Sequence, residues 1–269
     1  MSNCIVVQSQ LTAAQASKTK DFSVFGFRNT IPISSVSGQA EDPEYLFINS
    51  HDNKDATQYS PLATSGSVVI EFVQADASII DYVGIAIHNG GTAGLTGQVE
   101  VDPGTGYIIA ATFNTLTDNK PFLLCFDQIT GNKQRITLNF TSKCYIGAIH
   151  IGESIQFPRT PSRGFQPGKT ALQDKAIGFT SGGNNFVKGR RELKGHEAKG
   201  SFDYIDFSGV NLWWDEYQNH VIDSKATFFK WNNSLDEVIF GRQDPDKLRH
   251  PTYSSGLYTT IAFEFNGYA

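Results

Sequence analysis

The sequence predicts a mainly β protein: an N-terminal β-sandwich followed by a smaller C-terminal β-rich α+β domain with one amphipathic helix. Three observations predict it. Short runs of β-branched and aromatic residues recur through the first half, a proline- and glycine-rich segment follows them, and beyond it a single stretch keeps helical spacing.

Cys4 to Val7 and Phe22 to Phe25 are short β candidates, and residues 34–66, rich in Ser, Asp, Asn, Pro and Gly, read as loop. Ser67 to Val73 is the first dense strand. Ile79 to His88 places Val83, Ile85 and Ile87 on one face and the small Gly84 and Ala86 on the other, the pattern of a strand between two packed layers. GGTAG at Gly90 to Gly94 turns the chain. Further strands are predicted at 97–101, 107–113, 121–127, 134–140 and 144–151, with a bend at Thr130-Gly131-Asn132.

Glu153 to Lys169 contains three prolines and two glycines, so the chain is divided into a sandwich at 1–157, a linker at 158–168 and a second domain at 169–269. In the second domain, strands are expected at Ala176 to Thr180 and Ala198 to Ile205. Ser208 can cap a helix whose Val210, Trp213, Trp214, Tyr217 and Val221 share one face, opposite Asp215, Glu216 and Gln218. That helix is expected to lie on a sheet of Thr227 to Trp231, Glu237 to Gly241 and Leu257 to Phe265, with a turn at Asn232-Asn233-Ser234.

Composition narrows the function. The 269 residues are 39% apolar, with 20 Phe, 10 Tyr and one Met, and describe a rigid, aromatic-packed globular protein. A net charge of −5 gives no electrostatic reason to expect nucleic acid, and the basic run Lys188 to Lys199 is broken by Glu192 and Glu197. Cys4, Cys125 and Cys144 form neither a disulfide framework nor a zinc spacing, which favours assembly in a reducing cytoplasm. The N-terminus lacks signal-peptide character and no segment has the length of a membrane span; a soluble protein that is not Sec-exported is expected.

Catalytic signatures are not found, and no enzyme, cofactor or metal is expected. There is no GxSxG elbow, the histidines at 51, 88, 150, 196, 220 and 250 lack ligand spacing, and Gly90-Gly91 and Gly182-Gly183 match no phosphate loop. His88 and His150 both end apolar runs and can lie near one another. The acids Glu41, Asp42, Glu44, Asp52 and Asp55 could offer oxygen ligands but lack an EF-hand pattern. Asp81, Asp102 and Asp127 could serve a glycan hydrolase, yet each is also an ordinary strand-end residue. Tyr45, Phe47, Tyr59 and Tyr107 can bind sugar by their position, or wedge the layers apart.

A family resemblance adds to this reading. Between Ala40 and Val101 a DPEY loop leads to YSPLATSGSVVIEF, DYVGIAIHNGGTAG and GQVEV, and Ile146 to Arg159 reads IGAIHIGESIQFPR. These resemble the galactose-binding-like (discoidin-type) jelly-roll domain of bacteriophage and prophage tail proteins. GRRELKG, WWDEYQNHV, ATFFKWNNSLDEVIFG and IAFEFNG resemble the C-terminal portion of the same proteins, so the likeness runs from about residue 35 onward. It implies a structural component of the virion, a minor tail or tail-tip protein made in the host cytoplasm, forming a homo-oligomeric ring and contacting other tail proteins. The alternative it implies is a carbohydrate-binding module for host-surface glycan, with Asp42, Tyr45, Asp52 and Tyr59 as the binding loop. Neither nucleic acid nor membrane insertion enters either reading.

Overall fold

The computed structural model describes residues 4–6, 23–29, 33–50, 58–162, 164–175, 190–206, 210, 213–231, 237–248, 250–255 and 258–268. The chain is mainly β, as its sequence predicts, and its strands form two sheets. The first contains β1 (Cys4–Val6), β3 (Ile33–Ser37), β4 (Gly66–His88), β5 (Thr96–Asp102), β6 (Ile108–Phe113), β7 (Phe122–Phe140) and β8 (Ile146–Gly152). Its order is β3-β4-β7-β5-β6, with β8 added on β4 and β1 on β7.

Two long strands make this sheet a sandwich. β4 and β7 pair from Gly66 opposite Phe140 to Ile85 opposite Phe122, with breaks at Val73/Ser78 and Ile80/Tyr82. Their outer halves carry β3 and β5, with β6 beyond β5, whereas their inner halves carry β8 and β1. The sheet curls at the breaks. Val68, Ile70, Phe72, Val99, Ile136 and Leu138 then share one core with Val83, Ile85, Phe122, Leu124, Ile149 and Ile151 from the other half.

The sequence suggested separate strands at 67–73 and 81–88 and at 121–127 and 134–140. Each pair is one strand. The Thr130-Gly131-Asn132 bend is also corrected: Gly131 lies within β7, where an added Cβ would meet the Asp102 carbonyl oxygen at 2.4 Å. Its glycine serves close strand approach rather than a turn.

The second sheet comprises β2 (Val24–Gly26), β9 (Ile155–Gln156), β10 (Gln166–Lys175), β11 (Arg190–Asp206), β12 (Thr227–Lys230), β13 (Val238–Gln243), β14 (Thr252–Ser255) and β15 (Tyr258–Tyr268). Its order is β10-β11-β15-β13-β12-β2-β9, with β14 on β15. Thus β2 and β9, from the segment assigned to the first domain, pair within the second sheet. Segment 158–168 is docked on it too: Ser162 N donates to Ser201 O at 2.7 Å, and Phe165 packs against Trp231.

The sheets also pack face to face. Tyr82, Ala86, Leu123, Cys125 and Ala148 on the outside of the sandwich meet Val24, Phe228, Val238 and Phe240. Gly84 makes this approach possible, since a Cβ there would lie 2.6 Å from the Phe228 ring. Gly84 and Ala86 face the second layer as the sequence predicts, whereas Ile87, expected to share a face with Val83 and Ile85, packs with this outer cluster instead, its φ of 54° breaking the alternation. Helix α2 (Trp214–Ile222) covers the other face of the second sheet, laying Trp214, Tyr217 and Val221 on Phe25, Phe202, Phe229 and Phe263. Arg28 ties the layers, pairing with Glu153 after β8 and with Glu216 of α2 at 2.8 Å. Ser208, the strand at 176–180 and the Asn232 turn lie outside the described residues.

Candidate functional site

The curl brings both ends of the β4–β7 pair to one open end of the sandwich, where the segments 38–50, 58–65, 89–95, 114–121 and 141–145 meet. At the mouth, the next-to-last residue of β4 is Ile87, whose φ of 54° is uncommon for a β-branched residue. Gly147 accommodates it, since a Cβ there would meet the Ile87 Cβ at 2.8 Å. The GGTAG stretch, expected as a turn, forms the single helical turn α1 (Gly90–Ala93), ended by Gly94 at φ 64°.

Side chains and main chain stitch these segments together. Asn89 Nδ2 donates to Lys143 O at 2.8 Å and its Oδ1 accepts from Tyr145 N at 2.7 Å. Thr141 N donates to Ala93 O, and Leu116 N to Leu95 O, each at 2.9 Å. Lys143 Nζ donates to Asp42 Oδ2 at 3.0 Å and to Pro61 O at 2.7 Å, which fastens Asp42 and Pro61 to the turn before β8.

The four residues expected to bind sugar therefore part company. Asp42 is a latch: Lys143 and the Glu44 N–H hold its carboxyl below the ordinary carboxylate range. Tyr45 is half-buried and meets the half-buried Tyr145 edge to face, with centroids 5.6 Å apart at 72°. Tyr59 is 1% exposed, packed on Phe47 and bridged through its backbone to Ile146. It is a core wedge, and burial pushes its phenol well up. Asp52 lies outside the described residues.

The other candidates take structural places. Phe47 is buried. Tyr107 donates to a Glu71 carboxylate oxygen, and the Arg135 guanidinium carbon lies 4.1 Å from its ring centroid. Arg135 in turn makes a two-pronged pair with Glu100, at 2.6 and 2.7 Å. Asp81 is fully buried and accepts from Ser154 N at 2.7 Å, while Asp102 accepts from Gly104 N and Gly106 N. His88 and His150 are not neighbours: His88 is opposite Ile146, whereas His150 is opposite Gly84 and packs on Phe228 and Phe240. His88 Nδ1 accepts from Gly90 N at 2.9 Å, and burial lowers its pKa to about 4. Among the described residues no group of three or more His, Cys, Asp or Glu could hold a metal ion.

What remains accessible is an amphipathic rim. Tyr45 and Tyr145 lie half-buried, exposed Glu44 and Leu46 flank Tyr45 in the chain, and Ile48 and Leu62 are exposed as well. Tyr145 and Lys143 escaped the sequence reading. Tyr145 sits between buried Cys144 and buried Ile146, the first residue of β8, and the Lys143–Asp42 pair spans 101 positions of sequence, which leaves no local signal. The aromatic at the entrance of a strand was the one clue.

No family model matches the chain, and no curated protein matches it. Solved structures match part of it. A pectin-binding carbohydrate-binding module is 18% identical over 46% of this chain and 93% of its own, with a TM-score of 0.37. Chitosan-binding module 1 of a chitosanase/glucanase from Paenibacillus sp. IK-5 is 13% identical over 48% of this chain and 98% of its own, with a TM-score of 0.40. A carbohydrate-binding module from a family 31 glycoside hydrolase of Clostridium perfringens is 14% identical over 46% of this chain and 91% of its own, with a TM-score of 0.38.

Proposed function

We propose that the chain is a carbohydrate-binding protein whose sugar contacts form at the open end of the sandwich. The observation that carries this reading is the Tyr45–Tyr145 pair, half-buried on a hydrogen-bonded loop platform, with exposed Leu46 next to Tyr45 in the chain. Aromatic rings present an apolar face to the C–H face of a sugar, and their hydroxyls and neighbouring Glu44 supply polar partners for its hydroxyl groups. Preorganisation matters here, because a platform fixed by Asn89 and Lys143 loses little freedom on binding. Binding of the purified chain to a glycan array tests the reading: Tyr45→Ala should lose the signal, and an empty array would refute it.

The virion setting is a second, compatible reading, and its support is the sequence resemblance that spans both halves of the chain. In it the sandwich is the glycan-reading part of a tail protein that assembles with itself and its neighbours. Mass spectrometry of purified particles, with light scattering of the isolated chain, tests this. A chain that is monomeric and missing from particles would refute it.

A further inference from the structure

The second sheet carries an exposed aromatic pair. Tyr204 on β11 is 57% exposed and Tyr258 on β15 is 45% exposed; their ring centroids lie 6.4 Å apart at 73°. Tyr204 occupies a bulge: Phe202 pairs with Ile261 and Ile205 with Thr259, so Asp203 and Tyr204 stand opposite Thr260 alone. Within that bulge Tyr204 has a φ of 58°, in the left-handed region that glycine adopts freely and a bulky residue rarely does. The bulge keeps Phe202 and Ile205 both buried while Tyr204 points to solvent. Burial therefore does not account for a tyrosine here, and neither does backbone preference.

We infer that Tyr204 and Tyr258 form a second saccharide-binding surface, separate from the open end of the sandwich; the ligand class rests on the proposed function. Two phenols at a steep angle offer a ring face beside a ring edge, a corner of the size of one or two sugar rings. Exposed Asp206, directly opposite Tyr258, and Asp203 beside Tyr204 flank it with hydroxyl-accepting carboxylates. Those carboxylates would repel a uronate or phosphate and suit a neutral or amino sugar. A protein partner is a poorer fit, since a stable interface needs roughly 800 Å² per side, far more than two rings supply. Two sites on one chain would also let a polymer bind more tightly than a short oligosaccharide.

Affinity electrophoresis in gels containing galactomannan, hydroxyethylcellulose, glycol chitosan or pectin tests the inference. The variants are Tyr204→Asn with Tyr258→Ser, Tyr45→Ala with Tyr145→Ala, and all four together. Asn tolerates the left-handed backbone, so Tyr204→Asn should leave the melting temperature unchanged or raise it. In the polysaccharide that retards the parent chain, the Tyr204/Tyr258 variant should bind about tenfold more weakly and the fourfold variant not at all. Parent-like retardation of the Tyr204/Tyr258 variant, with or without a lowered melting temperature, would overturn the second surface and leave the open-end site standing. Loss caused by that variant, with none from Tyr45→Ala and Tyr145→Ala, would keep the second surface and refute the first. Absence of retardation in every gel would overturn both.

Discussion

Tyr45 and Tyr59 are separated by fourteen positions and have the same side chain, yet one borders solvent and the other fills the core. Their substitutions should separate accordingly. Tyr59→Ala is expected to cost about 3 kcal/mol or more in urea unfolding, as loss of a buried aromatic does. Tyr45→Ala should leave stability nearly unchanged and act on glycan binding. Nothing local in the sequence distinguishes the two, because the burial of Tyr59 comes from Phe47 and from its bridge to Ile146, far along the chain. Two buried histidines give a pH signature. His88 and His220 both have pKa values lowered to about 4, chiefly by burial. The unfolded chain therefore binds more protons than the folded one between about pH 6.5 and 4, so stability falls as pH falls through that window. The loss should be on the order of 3 kcal/mol for each fully titrated histidine. Thermal unfolding between pH 7 and 4 measures it, and His220→Gln should flatten the slope.

At the scale of elements, the strand at Ile79 to His88 was legible because its small and large residues alternate as two-sided packing requires. Gly84→Val tests that contact. Its side chain would run into the Phe228 ring, and a loss of about 1–3 kcal/mol is expected from overpacking. If Gly84→Val unfolds at the parental urea concentration, the face-to-face packing described for β4 is wrong. The helix was equally readable, since Trp214, Tyr217 and Val221 repeat with its turn and bury together. The curl of β4 and β7 was not. Polar Gln74 to Ser78 and the TGN at 130–132 carry turn composition, whereas the ladder simply continues through a bulge there. β2 and β9 were invisible as partners, having three and two residues and no periodicity of their own. Of the candidate site, the sequence drew attention to the segment around Asp42 and Tyr45, but the latch to Lys143 and the pairing with Tyr145 depend on the closed sandwich.

For the whole molecule, the two sheets share an apolar face and the second takes β2 and β9 from the first 157 residues, so a boundary near residue 157 does not separate two independent surfaces. A fragment of residues 1–157 would leave Tyr82, Ala86, Leu123 and Ala148 without Phe228 and Phe240 above them. Such a fragment should bind a hydrophobic dye and self-associate in light scattering; a soluble, dye-free monomer would show that the sandwich needs no cover. Packed in this way, the second sheet covers the outer face of the sandwich at Tyr82, Ala86, Leu123 and Ala148.

The central claim is that the open end binds sugar through Tyr45 and Tyr145. Isothermal titration of the full chain and of its Tyr45→Ala, Tyr145→Ala variant, with an oligosaccharide selected from the glycan array, tests it most directly. A fall in affinity of at least about tenfold at an unchanged melting temperature is predicted. Equal affinity in the two proteins would contradict it.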